Sequence, residues 1–236
     1  MRVPWVLEMV WHDVCFAHWR ADGERLESRL PPGVTLDRHR GDAWLSVVPF
    51  RMSGIHARFM PTLPGFAHVP EINLRTYVRV GNVRGVWFFS LDAASPLVVR
   101  SARMTTGLPY FDARIKTSED AARISYASER TSRGIAEGRF RAHYGVPSVE
   151  RTVETGSLEA FLHERYAFFG WRGGRIICGK VLHRPWTIGS ITIDIALNTL
   201  GELIAHPLAA APDAAFFARR IDVRACAVRV VHTSNH

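Results

Sequence analysis

The 236 residues predict a mainly β domain with inserted helices, an α+β chain built as a barrel or sandwich around a polar-lined pocket. Three observations predict it. Strand-like segments outnumber helical ones, Gly-, Asn- and Pro-rich turns separate them, and 47% hydrophobic residues suffice for one substantial core. With no internal repeat, low-complexity tract or linker, residues 1–236 read as a single domain.

The elements follow in chain order. Ala21 to Leu30 has helical spacing and is stopped by Pro31, Pro32 and Gly33. Strands are expected at Ala43 to Met52, Glu71 to Val80 and Val86 to Asp92, the last two joined by a hairpin loop carrying Gly81, Asn82 and Gly85. Before them, the irregular stretch Pro61 to Pro70 is suited to covering a pocket mouth. Ser95-Pro96 is a helix start, with a hydroxyl to cap and a proline in the first turn, and Gly107-Leu108-Pro109 ends that helix. More strands are expected at Tyr110 to Lys116, Arg123 to Arg130 and Arg139 to Tyr144. Ser157 caps a predicted helix from Leu158 to Phe169, the turn Gly170 to Gly174 leads into strand Arg175 to His183, a further helix is expected within Ile195 to Ala205, and a strand over Ala218 to Val231 closes the chain.

Composition bounds the function. The net charge of +8 would suit a polyanion, but Lys116 and Lys180 are the only lysines, and the arginines are scattered among apolar residues. Such scatter is what a high-GC genome produces, so nucleic-acid binding is the least favoured reading. Cys15, Cys178 and Cys226 are too dispersed for a disulfide framework and point to a reducing, cytoplasmic setting. The apolar N-terminal run is broken by Glu8, His12 and Asp13, and no stretch has the roughly 18 apolar residues of a spanning helix. No membrane role is expected. In strand parity His12 and His18 share a face and Cys15 opposes them, which argues against a metal site. Neither a G-x-S-x-G motif nor a Walker or dinucleotide fingerprint is present, so no cofactor is expected.

The chemistry concentrates in one strand. Residues two apart share a face, so Glu71, Asn73, Arg75 and Tyr77 oppose Ile72, Leu74, Thr76 and Val78. Such a row is either a solvated strand face or a recognition surface for a carboxylate or enol, with Glu71 and Arg75 roughly 13 Å apart. On the next strand Asp92 follows a nearly continuous apolar run, and a buried carboxylate there needs an arginine such as Arg75, Arg100 or Arg103. Tyr110 is either a packed aromatic or, beside Arg103 or Arg114, a donor to an enolate oxygen.

The runs WLSVVPFRM from Trp44, PEINLRTYV from Pro70, GVWFFSLDA from Gly85, GLPYFDAR from Gly107, SLEAFLHERY from Ser157 and HRPW from His183 resemble the YqjF-like family of uncharacterised function, over roughly Trp11 to Trp186. That family is similar to acetoacetate decarboxylase, and the resemblance implies an acetoacetate-decarboxylase-like β-barrel enclosing a pocket, in a homo-oligomer. It also exposes a departure. The decarboxylase carries its Schiff-base lysine directly after a Gly-x-Pro turn, whereas Gly107-Leu108-Pro109 is followed here by Tyr110, and a phenol cannot form an imine. Lys116 lies roughly 20 Å further along the same strand, and Lys180 has no second lysine nearby to lower its pKa.

These readings converge on a barrel binding a small acidic metabolite such as a keto acid. Glu71, Tyr110 and Asp92 are the catalytic candidates, and Arg75, Asn73, Tyr77 and Arg103 the ligand-binding ones. Any reaction would be acid-base chemistry without a Schiff base. The alternatives are a non-catalytic ligand-binding module and, behind it, a nucleic-acid-binding protein.

Overall fold

The computed structural model describes residues 4–120 and 123–231. The strands are β1 (Trp5–Ala21), β2 (Thr35–Leu36), β3 (Ala43–Ala57), β4 (His68–Val80), β5 (Val83–Ala93), β6 (Tyr110–Asp120), β7 (Arg123–Arg130), β8 (Arg139–Gly145), β9 (Arg151–Thr152), β10 (Ala167–Arg172), β11 (Arg175–Leu182), β12 (Thr187–Ser190), β13 (Ile193–Asn198), β14 (Ala214–Cys226) and β15 (Arg229–Val230). Three α-helices, α1 (Gly23–Glu27), α2 (Pro96–Thr106) and α3 (Leu158–His163), and a 3₁₀ turn at Leu200–Ile204 are inserted between them.

The α+β character is as expected, but the closed β-barrel is not. The strands form a mixed, mostly antiparallel sheet in the order β13-β8-β7-β6-β5-β10-β11-β14-β1-β3-β4-β2, with ends at β13 and β2 and a further β4–β5 pairing. The sheet forks at β5, whose first edge runs along β4. Its second edge is split: Val86 and Trp87 pair in parallel with β10, while Leu91, Asp92 and Ala93 pair in parallel with β6. Strands β6, β7, β8 and β13 therefore leave as a separate arm. The local sequence signals of strand and turn do not encode such a fork.

Two irregularities re-aim side chains toward a common interior. On β1, Leu7, Met9 and Trp11 face the first core cluster, but beyond Asp13 (φ 51°) it is Val14 and Phe16 that do so, while Cys15, Ala17 and Trp19 join the second. The β1–β3 register slips between His12 and Ala17. The slip corrects the expected parity: His12 and His18 do not share a face. Asp13 holds the distortion through its ion pairs with Arg51 and with Arg219 at 2.6 Å. On β5 the register slips by one at Phe89, so Val86, Phe88 and Leu91 face the first cluster. Extra residues of this kind bend a strand and redirect its side chains.

Helix α2 matches its sequence signals. The Ser95 hydroxyl accepts from Val98 N at 3.4 Å, Pro96 opens the first turn, and Gly107 adopts the left-handed conformation (φ 68°) that ends it. The helix expected from Leu158 to Phe169 is half correct, because α3 stops at His163 and Ala167–Arg172 is strand β10. A short apolar run such as Ala-Phe-Phe-Gly-Trp is ambiguous by periodicity. Pairing with β11 and β5 decides for strand, and Gly179 makes room for the Phe168 ring, which a β-carbon there would meet at 2.1 Å. The helix expected within Ile195 to Ala205 is likewise corrected to β13, paired with β8, followed by the 3₁₀ turn. The last expected strand is divided into β14 and β15.

Candidate functional site

The slipped registers of β1 and β5 turn apolar side chains into a cavity of about 280 Å³. Its walls come from β1, β3, β4, β5 and β10, with α2, Phe66 of the Pro-rich loop and Trp186 contributing further surface. The expected polar lining is corrected: most of the wall is apolar, and its polar groups are few. Such a surface with a few placed polar groups is the common build of a small-molecule site.

Glu71, Asn73 and Arg75 reach the cavity from β4 as strand parity predicts, and Tyr110 reaches it from the start of β6. Ile72 and Leu74 face the second core cluster. Glu71 and Asn73 are almost completely buried, at 2% and 4% exposure. Tyr110 and Asn73 hydrogen-bond the Glu71 carboxyl, but burial outweighs them and, with Asp92 nearby, raises its pKa to about 8. Glu71 is therefore protonated at neutral pH. The Tyr110 phenol is held well above its usual range by burial and by Glu71. Glu71 Oε2, Asn73 Oδ1 and Arg75 Nε are buried with no hydrogen-bond partner. No carboxylate pairs with Arg75 among the described residues; its guanidinium lies 5.6 Å from the Phe16 ring centroid and 6.0 Å from that of Tyr77. Buried polar groups are ordinarily satisfied, so a group of orphans around one cavity marks a place for ligand or water.

Three expected site residues lie elsewhere. Asp92 stands opposite Ile72 on β5 and is not in the cavity wall. Its partner is not Arg75, Arg100 or Arg103 but Arg130, which grips both carboxylate oxygens at 2.5 and 2.9 Å. Tyr77 is fully buried behind the cavity, its hydroxyl 2.7 Å from Ser46 Oγ and 3.3 Å from His18 Nδ1. Arg103 is exposed at the end of α2 and donates from Nε to the Tyr110 carbonyl at 2.6 Å, so it positions the start of β6 from outside.

The structure adds residues that the sequence did not single out as site members. His163 ends α3 and reaches the cavity wall. Its Nδ1 lies 2.7 Å from the Glu159 carbonyl, which only accepts, so Nδ1 carries the proton and the unpartnered Nε2 is an acceptor. Burial lowers its pKa to about 3, with the charge of Arg75 acting in the same direction, and the ring stays neutral. His18, 5.2 Å away in an edge-to-face arrangement, is also held neutral, by burial first and then by His163 and Arg75. Arg165 touches the cavity but is anchored: its Nε donates to Phe161 O at 2.6 Å and its Nη1 pairs with Asp37 at 2.6 Å. His183, in the HRPW run, completes this set. The SLEAFLHERY and HRPW runs carried the signal for His163, Arg165 and His183, and they read equally as a helix anchor and a buried tryptophan.

Lys116 and Lys180 are both exposed and neither lines the cavity. Among the described residues no group of three His, Cys, Asp or Glu side chains is placed to hold a metal ion, and no helix is long and apolar enough to cross a membrane.

The DUF2071 model, described as an uncharacterized conserved protein, matches residues 8–222. The chain belongs to this family. Within reach of the DUF2071 match is the uncharacterized protein YqjF of Bacillus subtilis (strain 168), which is 35% identical over 219 residues, covering 93% of this chain and 90% of the relative. Among solved structures, the DUF2071 chain is similar to an acetoacetate decarboxylase-like enzyme from Sphingomonas wittichii RW1, with TM-score 0.64 and 15% identity over 98% of this chain and 95% of that one. It is also similar to the enduracididine biosynthesis enzyme MppR complexed with pyruvate, with TM-score 0.64 and 15% identity over 98% and 91% of the two chains. Acetoacetate decarboxylase from Legionella pneumophila gives TM-score 0.65 and 13% identity over 96% and 87%. At such identities the likeness is one of fold.

Proposed function

We propose that this DUF2071 protein binds a small carboxylate of the keto-acid class in the cavity and acts on it by acid-base chemistry without an imine. The observation that carries the reading is Arg75, a guanidinium with no carboxylate partner among the described residues, at the wall of a largely apolar cavity. Arg75 is half-buried with its Nε buried and unpartnered, a desolvation that an anion would offset, and a carboxylate meets a guanidinium with two parallel hydrogen bonds. Protonated Glu71 does not repel that anion, and it is placed to donate a proton to a ligand oxygen, with Tyr110 and Asn73 orienting it. The pyruvate complex of MppR supports the ligand class, since that protein shares the fold. Asp92 and Arg103 serve this site only as support, the first through Arg130 and the second through the Tyr110 carbonyl.

The test separates binding from turnover. Thermal shift with pyruvate and acetoacetate reports binding, and a ligand at about 100 times its dissociation constant adds roughly 2.7 kcal/mol to stability. Enolisation, in which Glu71 gives its proton to the ketone oxygen while a methyl proton passes to the unpartnered Nε2 of His163 or to water, is read by loss of the methyl proton signal of pyruvate in D₂O. Glu71→Gln should retain the thermal shift and lose the exchange. A thermal shift without exchange in the unaltered protein would assign the non-catalytic binding module instead, and no shift with any small acid would overturn the proposal.

A further inference from the structure

We infer that the cavity selects a monocarboxylate with an apolar body, a medium-chain or aryl acid, in preference to a compact three- or four-carbon keto acid. The inference rests on the proposed role of Arg75 as the carboxylate holder and concerns the rest of the ligand.

The polar groups are distributed unevenly. Glu71, Asn73 and Arg75 form one row on β4 and Tyr110, His163, Arg165 and His183 add further polar side chains, whereas most of the remaining wall is apolar, from Met9, Trp11, Phe50, Met52, Phe168 and Trp186. The Trp11 ring lies 5.2 Å from Phe50 and 6.3 Å from Trp186, so the three make a continuous aromatic surface, in which the Trp11 Nε1 is buried without a partner. A three-carbon acid on Arg75 would satisfy the β4 row and leave those rings facing water. The cavity, at about 280 Å³, approaches the lower end of the roughly 300–1,000 Å³ range of sites that enclose larger organic ligands. A ligand with one anionic end and a hydrocarbon or aryl remainder matches both surfaces at once.

The affinities of acetate, butyrate, hexanoate and octanoate, and of pyruvate against phenylpyruvate, test this by calorimetric titration. Burial of each added methylene should tighten binding by about threefold to fourfold until the cavity is filled. Ala102 lines the cavity from α2, on a different wall from β4 and only partly buried, so Ala102→Phe shortens the space with little risk to the core. In that variant octanoate should weaken while butyrate is unchanged. Hexanamide and octanamide are the controls for the charged end. Acids favoured over amides, with affinity independent of chain length, would overturn the apolar selection and leave the proposed function standing. Amides binding as tightly as acids would overturn the carboxylate requirement and the role of Arg75 with it. Absence of binding across the whole series would overturn both.

Discussion

Asp92 and Arg75 lie on adjacent strands and both carry charge, the first fully buried and the second half-buried at the cavity wall, yet their surroundings are opposite. The Asp92 and Arg130 side chains are each 1% exposed, they meet through two hydrogen bonds, and Arg130 gives a third to Ala136 O at 2.9 Å. Phe111 lies against the Arg130 guanidinium at 4.5 Å, and Gly138 approaches so closely that a β-carbon there would sit 2.9 Å from Arg130 Cζ. Arg75 shares the aromatic contact, with Phe16 and Tyr77, but has no carboxylate partner among the described residues and lies near the unsatisfied atoms of Glu71 and Asn73. The comparison teaches how to sort buried charge: a pair whose hydrogen bonds are complete within the protein maintains the fold, while a charge left open toward a cavity is available to something else.

The largest effect should come from breaking the complete pair. Asp92→Ala leaves Arg130 buried without its carboxylate, which costs about 3–5 kcal/mol and, for a chain of this size, lowers Tm by on the order of 10 °C. Chemical denaturation of the purified variant checks it. A loss under 1 kcal/mol would remove the distinction between the two charges.

An effect of similar size but dependent on pH should follow Glu71→Gln. In the folded protein the Glu71 pKa is about 8 against an ordinary 4.5, so between these values the unfolded chain ionises while the folded one keeps its proton. Stability therefore falls as pH rises from about 4.5 to 8, by a few kcal/mol, and is level beyond. The glutamine variant should lack that slope. His18 and His163 act on the other side: both are depressed by burial, so stability also falls as pH drops below about 6.5. The difference between the two proteins in denaturation midpoint should change progressively from about pH 4.5 to 8 and stay level above that, and parallel curves throughout would mean that Glu71 is ionised in the fold.

Arg75→Met should change stability by no more than about 1 kcal/mol, because no ion pair among the described residues is lost, while abolishing the thermal shift given by small acids. A variant that fails to fold would make Arg75 a structural residue. The smallest effect is expected at the lysines. Borohydride in the presence of pyruvate should leave the protein mass unchanged, since Lys116 and Lys180 are exposed and away from the cavity. A trapped adduct on either would reinstate imine chemistry.

Much of this was legible from short-range sequence. The alternation over Glu71 to Tyr77 placed Glu71, Asn73 and Arg75 on one face because strand side chains alternate whatever the surroundings, and Ser95-Pro96 with Gly107 bounded α2 because caps act within one turn. The tertiary structure decided what each face meets. It forked the sheet at β5, gave Asp92 to Arg130 across 38 residues of sequence, placed Tyr77 behind the cavity and brought His163 into its wall. It also converted Ala167–Arg172 from expected helix to strand. The physical reason is range: propensity, parity and capping act over a few residues, whereas the slips at Asp13 and Phe89, the split edge of β5 and the pairing of buried charges arise only when distant strands compete for the same edges and the same interior.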